Sequence, residues 1–281
     1  MLRIAVPNKG ALSEGARQML RGAGYLRSGN PRDLVVSDPD NDAEFFFLRP
    51  RDIAVYVGAG RLDLGITGRD MLADSGAAAA ELLDLGFGGS TFRLAAPSGT
   101  AATPDDLRGQ RIATSYSGVL AAWLLDADIE ADIVRLDGAV ENAVRLGVAD
   151  AVADVVDTGA TMRQAGLEFV GPVLLTSSAI LIKPASASPN PAAETMLRRL
   201  HGVIVAHSYV IVEYDIRTDN LDAASAITPG FESPTISPLR DPAWVAVRAM
   251  VVRDDVHQVM DDLYALGARG ILVTDIHACR L

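Results

Sequence analysis

Apolar residues fall in short blocks along the chain, each closed by glycine or proline. Residues 2–7 are apolar and end at Pro7-Asn8-Lys9-Gly10, which predicts a strand that starts at once and a loop after it. The stretch 12–20 spaces its apolar residues as an amphipathic helix does. Phe45-Phe46-Phe47-Leu48 predicts a buried strand, and a helix should begin near Pro50, since proline suits a first helical turn. Residues 62–67 read as another strand, opening into Gly68-Arg69-Asp70. Strand-then-helix alternation predicts parallel sheets with helices on both faces.

The cluster Gly86-Phe87-Gly88-Gly89 marks a break between lobes. Strand 91–96 leads to Thr103-Pro104-Asp105-Asp106, a helix-start pattern of cap residue, proline and two acids. Strands 111–115, 132–136 and 151–155 then alternate with helices 117–126, 138–146 and 159–165. The apolar segment 173–182 is expected to cross back to the first lobe. The fold class is therefore α/β, with two periplasmic-binding-protein-like lobes and a hinge. Lobe I takes 1–90 and 172–190, and lobe II takes 91–171. A cleft between such lobes is the usual place for a ligand.

After the Ser/Ala/Pro/Asn linker 186–191 and a helix at 192–206, the pattern changes. Strand 208–215, helix 219–226, strands 232–239 and 243–252, helix 254–266 and strand 270–277 follow. That order, βαββαβ, predicts a ferredoxin-like C-terminal domain over 205–281.

Composition narrows the function classes. With 281 residues, two or three domains are expected. No apolar run approaches the roughly 20 residues that span a bilayer, so no membrane role is expected. The N-terminus lacks a signal-peptide layout. The single cysteine, Cys279, allows no internal disulfide and suits a reducing cytoplasm. One cysteine and four scattered histidines argue against a Cys/His zinc site. The net charge is −11 and no basic stripe is visible, which argues against a nucleic-acid partner. Only Lys9 and Lys183 among the 25 basic residues are lysines. Lys9, in the loop after the first strand, is thereby the more notable.

The segment richest in chemistry is Asp154-Val155-Val156-Asp157-Thr158-Gly159-Ala160-Thr161. An apolar strand is expected to end in Asp154, and a loop then opens a helix. Free backbone N–H groups at a helix start hold phosphate. Thr158 and Thr161 add hydroxyl donors, and Gly159 lets the backbone approach a ligand. Asp154 or Asp157 can accept from ribose hydroxyls or hold a hydrated magnesium ion. An ordinary helix start with Thr158 as its cap fits the same mechanics.

The flanks extend this loop into a pattern of 22 residues. It runs Glu141, Gly147-Val148-Ala149, Val152-Ala153-Asp154-Val155 and Thr158-Gly159-Ala160-Thr161-Met162. The pattern resembles the signature of the ATP phosphoribosyltransferase family. Pro7-Asn8-Lys9-Gly10, Phe46-Phe47-Leu48-Arg49-Pro50-Arg51-Asp52-Ile53 and Leu64-Gly65-Ile66-Thr67-Gly68-Arg69-Asp70 resemble its other catalytic motifs. Ile227-Thr228-Pro229-Gly230-Phe231-Glu232-Ser233-Pro234-Thr235-Ile236 resembles the regulatory motif of its long form.

The resemblance implies the first step of histidine biosynthesis: ATP and phosphoribosyl pyrophosphate react with Mg2+, and histidine inhibits. It also implies a homo-oligomer, dimers forming hexamers. Catalytic roles fall on Lys9, Arg49, Asp70 and Glu141, with Arg51 as a further cation. Substrate contacts fall on Tyr116, Asp154, Asp157, Thr158, Gly159, Ala160 and Thr161. Histidine contacts fall on Asp215, Phe231, Ser233, Thr235 and Gly270. Each residue also has a plainer reading. Lys9 can be a solvated loop lysine, Arg49 an ion-pair partner of Asp52 or Asp70, and Asp70 a helix cap. Tyr116 can pack in its own lobe, Glu141 can pair with Arg145, and Asp215 can cap the next helix.

Three rival functions use a similar frame. A hinged solute-binding protein would normally carry export information and needs no such tail. Prephenate dehydratase looks for Thr-Arg-Phe, where this chain has Thr91-Phe92-Arg93. A catalytically dead regulatory subunit would not need the intact loop.

Overall fold

The computed structural model describes residues 1–26 and 33–280. Strand β1 (Leu2–Pro7) is followed by helix α1 (Ala11–Gly22). The helix buries Leu12, Ala16, Met19 and Leu20, the spacing that keeps one helical face apolar. Strands β2 (Val35–Asp38) and β3 (Ala43–Leu48), helix α2 (Pro50–Gly58), strand β4 (Leu64–Gly68), helix α3 (Arg69–Ser75) and strand β5 (Ala79–Asp84) follow. Proline does stand in the first turn of α2. β4 is buried along its whole length, as a central strand covered on both faces must be.

The second half holds β6 (Ser90–Pro97), β7 (Arg111–Thr114), α4 (Ser117–Asp126), β8 (Asp132–Arg135), α5 (Glu141–Arg145), β9 (Ala151–Val156), α6 (Ala160–Gln164) and β10 (Leu167–Ser177). β11 (Ala179–Pro184) returns the chain to the first sheet. The first sheet has the order β2-β3-β1-β4-β11-β5 and the second β10-β6-β9-β7-β8. The chain thus crosses twice, between β5 and β6 and between β10 and β11. The crossings are tied together: Leu85 N–H donates to the Ala179 carbonyl at 2.9 Å, and Ala179 N–H to the Phe87 carbonyl at 2.8 Å.

Both sheets are mixed rather than parallel. β1 runs parallel to β3 and β4, but β2 and β11 run antiparallel to their neighbours. In the second sheet β7 runs parallel to β8 and β9, while β6 and β10 are antiparallel. β11 re-enters from the other lobe against the direction of β4 and β5, while β2 turns back into β3 through the short link at Pro39–Asn41. The segment at 173–182 is in fact two strands in different sheets. The pattern at Thr103 caps only one turn, a 3-10 turn at Pro104–Leu107 with a Thr103–Asp106 capping box.

Helix α7 (Pro191–Ser208) leads to β12 (Tyr209–Arg217), α8 (Leu221–Ile227), β13 (Thr235–Pro238), β14 (Trp244–Val252), α9 (Val256–Ala265) and β15 (Arg269–Asp275). Their sheet order is β13-β14-β12-β15 with antiparallel neighbours, the ferredoxin-like arrangement. Val210, Val212, Tyr214 and Ile216 alternate inward and pack with Ala224 and Leu263 of the two helices. The described residues divide into two compact units, 1–21 with 25–194 and 22–24 with 195–281. No helix among them is long and apolar enough to cross a membrane.

Candidate active site

The parallel strands β1, β3 and β4 of the first sheet finish side by side. Pro7 pairs with Leu48, and Asn8 N–H donates to the Leu48 carbonyl at 2.8 Å. Lys9 and Arg49 therefore leave from neighbouring strand ends, where open α/β sheets bind ligands. Both are exposed. Arg49 forms no ion pair with Asp52 or Asp70.

Asp70 leaves the end of β4 and is 5% exposed. It does not cap its helix. Its Oδ1 accepts from Ser177 Oγ at 2.7 Å, and its own N–H donates to that oxygen at 3.0 Å. Tyr116, from the second lobe, stands close enough to Asp70 for that carboxylate to raise its hydroxyl. Ser177 ends β10 at a crossing, so the hinge holds this carboxylate.

Tyr116 does not pack only within its own lobe. Its ring meets Phe92 edge-on at 5.7 Å, while the Arg51 guanidinium lies 4.2 Å from its centroid. Burial, then the charge of Asp70, pushes its hydroxyl well above the usual phenol range, so the group stays a neutral donor. Arg51 also reaches Asp74 at 3.1 Å and Ser115 Oγ at 3.2 Å.

Asp154 lies inside β9, not at its end, because the strand continues to Val156. Burial, with the nearby Glu141 charge adding, raises the Asp154 carboxyl above the usual carboxylate range. The Val155 N–H, Arg51 and Ser115 oppose that rise. Glu141 opens the short helix α5 and acts on Asp154; no ion pair with Arg145 forms. Across the sheet Asp154 stands opposite Arg93, whose guanidinium lies 4.3 Å from the Phe169 ring.

The loop beyond β9 is built differently. Asp157, Thr158, Ala160 and Thr161 are exposed, and Gly159 is buried. Gly159 has φ +72°, and an added Cβ would stand 2.8 Å from Phe169. Arg163 Nη2 donates to the Thr158 carbonyl at 3.0 Å, fixing the turn and leaving the hydroxyl free. The helix that follows has only five residues, so its dipole is small and the loop N–H groups carry most of any anion contact.

In the C-terminal unit the proposed histidine contacts fall in two places. Phe231, Ser233 and Thr235 line a cavity of about 540 Å³ together with Glu232 and Arg248. Asp215 and Gly270 lie beside each other on β12 and β15, where a Gly270 Cβ would be 3.8 Å from the Asp215 carboxylate. Ser177 and Asp74 were not singled out in the sequence. Ser177 did leave a trace, a polar break in an apolar crossing segment. Asp74 left none, since it reads as any surface acid of a helix.

Comparison with known proteins shows the family of the chain. The profile described as ATP phosphoribosyltransferase matches residues 49–202, more than half of the chain, and the HisG C-terminal domain matches 206–278. The ATP phosphoribosyltransferase of Salinispora tropica is 59% identical over 281 residues, the whole of both chains. That of Pseudarthrobacter chlorophenolicus is 58% identical over 284 residues, again covering both chains completely. The ATP phosphoribosyl transferase (HisG:HisZ) complex from Thermotoga maritima superposes with a TM-score of 0.64, covering 73% of this chain and 98% of that one. At 24% identity the last likeness speaks for the fold alone. The chain belongs to the ATP phosphoribosyltransferase family, pentosyltransferases of histidine biosynthesis, and carries that family's C-terminal domain.

Proposed function

We propose that the chain joins ATP to phosphoribosyl pyrophosphate. Adenine N1 forms a bond to ribose C1, the C1–oxygen bond to pyrophosphate breaks, and phosphoribosyl-ATP and pyrophosphate leave. The observation that carries this reading is the loop at 157–161, with its exposed threonines and left-handed Gly159, on the β9 edge that also carries Asp154. The loop takes the sugar phosphate. Asp154 and Asp157 take ribose hydroxyls, while Asp70 and Tyr116 hold the nucleotide. Such a transfer needs alignment and charge neutralisation more than a covalent nucleophile. Lys9 and Arg49 supply mobile positive charge for the polyphosphates.

Magnesium fits this site as an ion bound largely by substrate. Among the described residues no cluster of three metal-binding side chains exists. Mg2+ is commonly held by one or two carboxylates with substrate phosphates. Asp154 and Glu141 supply such a pair, and their mutual repulsion is what a cation would relieve. When bound, the ion would neutralise pyrophosphate charge.

The C-terminal unit serves as the histidine-sensing domain in this reading. Its cavity offers hydroxyls, an aromatic wall and both signs of charge to a zwitterion. Asp215 beside Gly270 is placed for a cationic amine or imidazole. The family resemblance supports a homo-oligomer of dimers and hexamers, and the ATP substrate suits the cytoplasm. The test is an absorbance assay with ATP, phosphoribosyl pyrophosphate and Mg2+, with and without histidine. Product formation that histidine suppresses is expected, and no product would sink the reading. Deleting residues after about 205 should relieve the inhibition. Light scattering that finds only monomer under all ligand conditions would remove the assembly.

A further inference from the structure

Asp74 has no part in the chemistry just described, yet it binds both sides of the cleft. It lies on α3, in the first lobe, with its side chain 16% exposed. Oδ1 accepts the Gly118 N–H at 2.8 Å and the Val119 N–H at 3.3 Å. Those groups open α4 in the second lobe, and the helix has no cap from its own N-terminal residue, Tyr116. Oδ2 accepts from Arg51 Nη1 at 3.1 Å. Arg51 then reaches Ser115 and lies over Tyr116.

A second observation is independent of that carboxylate. A Cβ on Gly118 would stand 2.4 Å from the Asp74 carbonyl oxygen. Helices α3 and α4 therefore meet at a separation that only glycine permits. Met71, one turn before Asp74, packs on the hydrophobic core of the second lobe.

We propose that Asp74 is a positioning residue that sets the register of the two lobes, capping α4 from the opposite side and holding Arg51 against Ser115 and Tyr116. This rests on reading the cleft as the phosphoribosyl-transfer site. A carboxylate at a helix start satisfies free N–H groups and opposes the positive dipole end. It also removes freedom from an arginine that would otherwise sample many rotamers. Ribosyl transfer needs the attacking adenine nitrogen, the sugar carbon and the departing pyrophosphate oxygen in line. Loss of register should therefore slow turnover while the loop in the second lobe still binds its sugar phosphate.

The experiment compares full-length wild type with Asp74→Ala, Asp74→Asn, Arg51→Ala and the Asp74→Ala/Arg51→Ala double variant. Each is read by kcat, by melting temperature and by calorimetric titration with phosphoribosyl pyrophosphate. Asp74→Ala should lower kcat about tenfold to a hundredfold, with the Kd for phosphoribosyl pyrophosphate unchanged. Asp74→Asn keeps an acceptor oxygen for α4 and should recover part of the rate. The double variant should lose less than the product of the two single losses, because the singles share the Asp74–Arg51 contact. Wild-type kcat in folded Asp74→Ala, multiplicative losses in the double variant, or an equally weakened Kd would each overturn the proposal. If Asp74→Ala does not fold, Asp74→Asn decides: a lowered kcat with unchanged Kd supports it, and an unchanged kcat overturns it. An inactive wild type would remove the underlying reading as well; an active wild type with an unaffected Asp74→Ala would remove this inference alone.

Discussion

The two faces of the cleft are built by opposite strategies. At the Asp70 corner the polar groups are engaged within the protein: Asp70 with Ser177, and Arg51 with Asp74 and Ser115. At the 157–161 loop the side chains of Asp157, Thr158 and Thr161 point to solvent, and only the backbone turn is fixed. A buried corner is ordered before any ligand arrives, so its contacts cost little at the moment of reaction. An exposed loop gives up water instead, which suits the capture of a highly charged sugar phosphate. On the proposed function, shape is fixed where the base must be aligned and left open where charge must be gathered.

Substitutions can break this contrast in order of expected effect. Asp70→Asn keeps the size of the side chain but removes its charge. It should lower kcat/KM about a hundredfold or more in a protein that melts near the wild-type temperature. A wild-type rate would mean that the buried corner is only structural. Thr161→Ala, on the open side, should raise the KM for phosphoribosyl pyrophosphate about tenfold and leave the KM for ATP in place; equal changes in both would erase the division. Gly159→Ala forces a residue with a side chain to φ +72° and toward Phe169. Such strain costs about 1–3 kcal/mol, and it should be read as weaker sugar-phosphate binding with little change at the Asp70 corner.

The smallest effect concerns pH. Burial and Glu141 raise the Asp154 carboxyl, and its proposed role as acceptor for ribose hydroxyls needs it ionised. The acid limb of the rate profile should therefore lie above that of an ordinary aspartate. Glu141→Gln removes the secondary cause, lowers the Asp154 pKa and should move that limb to lower pH. A limb that stays put or moves upward would show that Glu141 does not act on Asp154.

Much of this was legible in the sequence because it is local. The Pro50 helix start, the Phe45–Leu48 strand and the ferredoxin-like order follow from periodicity and turn chemistry. The 141–162 pattern named the loop and the family together. What escaped is non-local. β2 has only four residues and β5 is broken by Glu81, and β5 pairs only with β11, a strand far along the chain. The split of 173–182 between two sheets turns on Ser177 and Ser178, where the sequence shows only a polar pair. Asp154 looked terminal because charge usually ends a strand; here pairing of Phe92 with Val155 and Thr91 with Val156 carries the strand on to Val156. Asp74 acts 44 residues away from its partner Gly118, a distance that no local pattern records.

The most direct test of the account is calorimetric titration of phosphoribosyl pyrophosphate with Mg2+ into wild type, a Thr158→Ala/Thr161→Ala variant and Asp70→Asn. The account predicts saturable binding by wild type and by Asp70→Asn, and binding weakened about tenfold or more in the threonine variant. Undiminished binding by the threonine variant would contradict the assignment of the loop to the sugar phosphate.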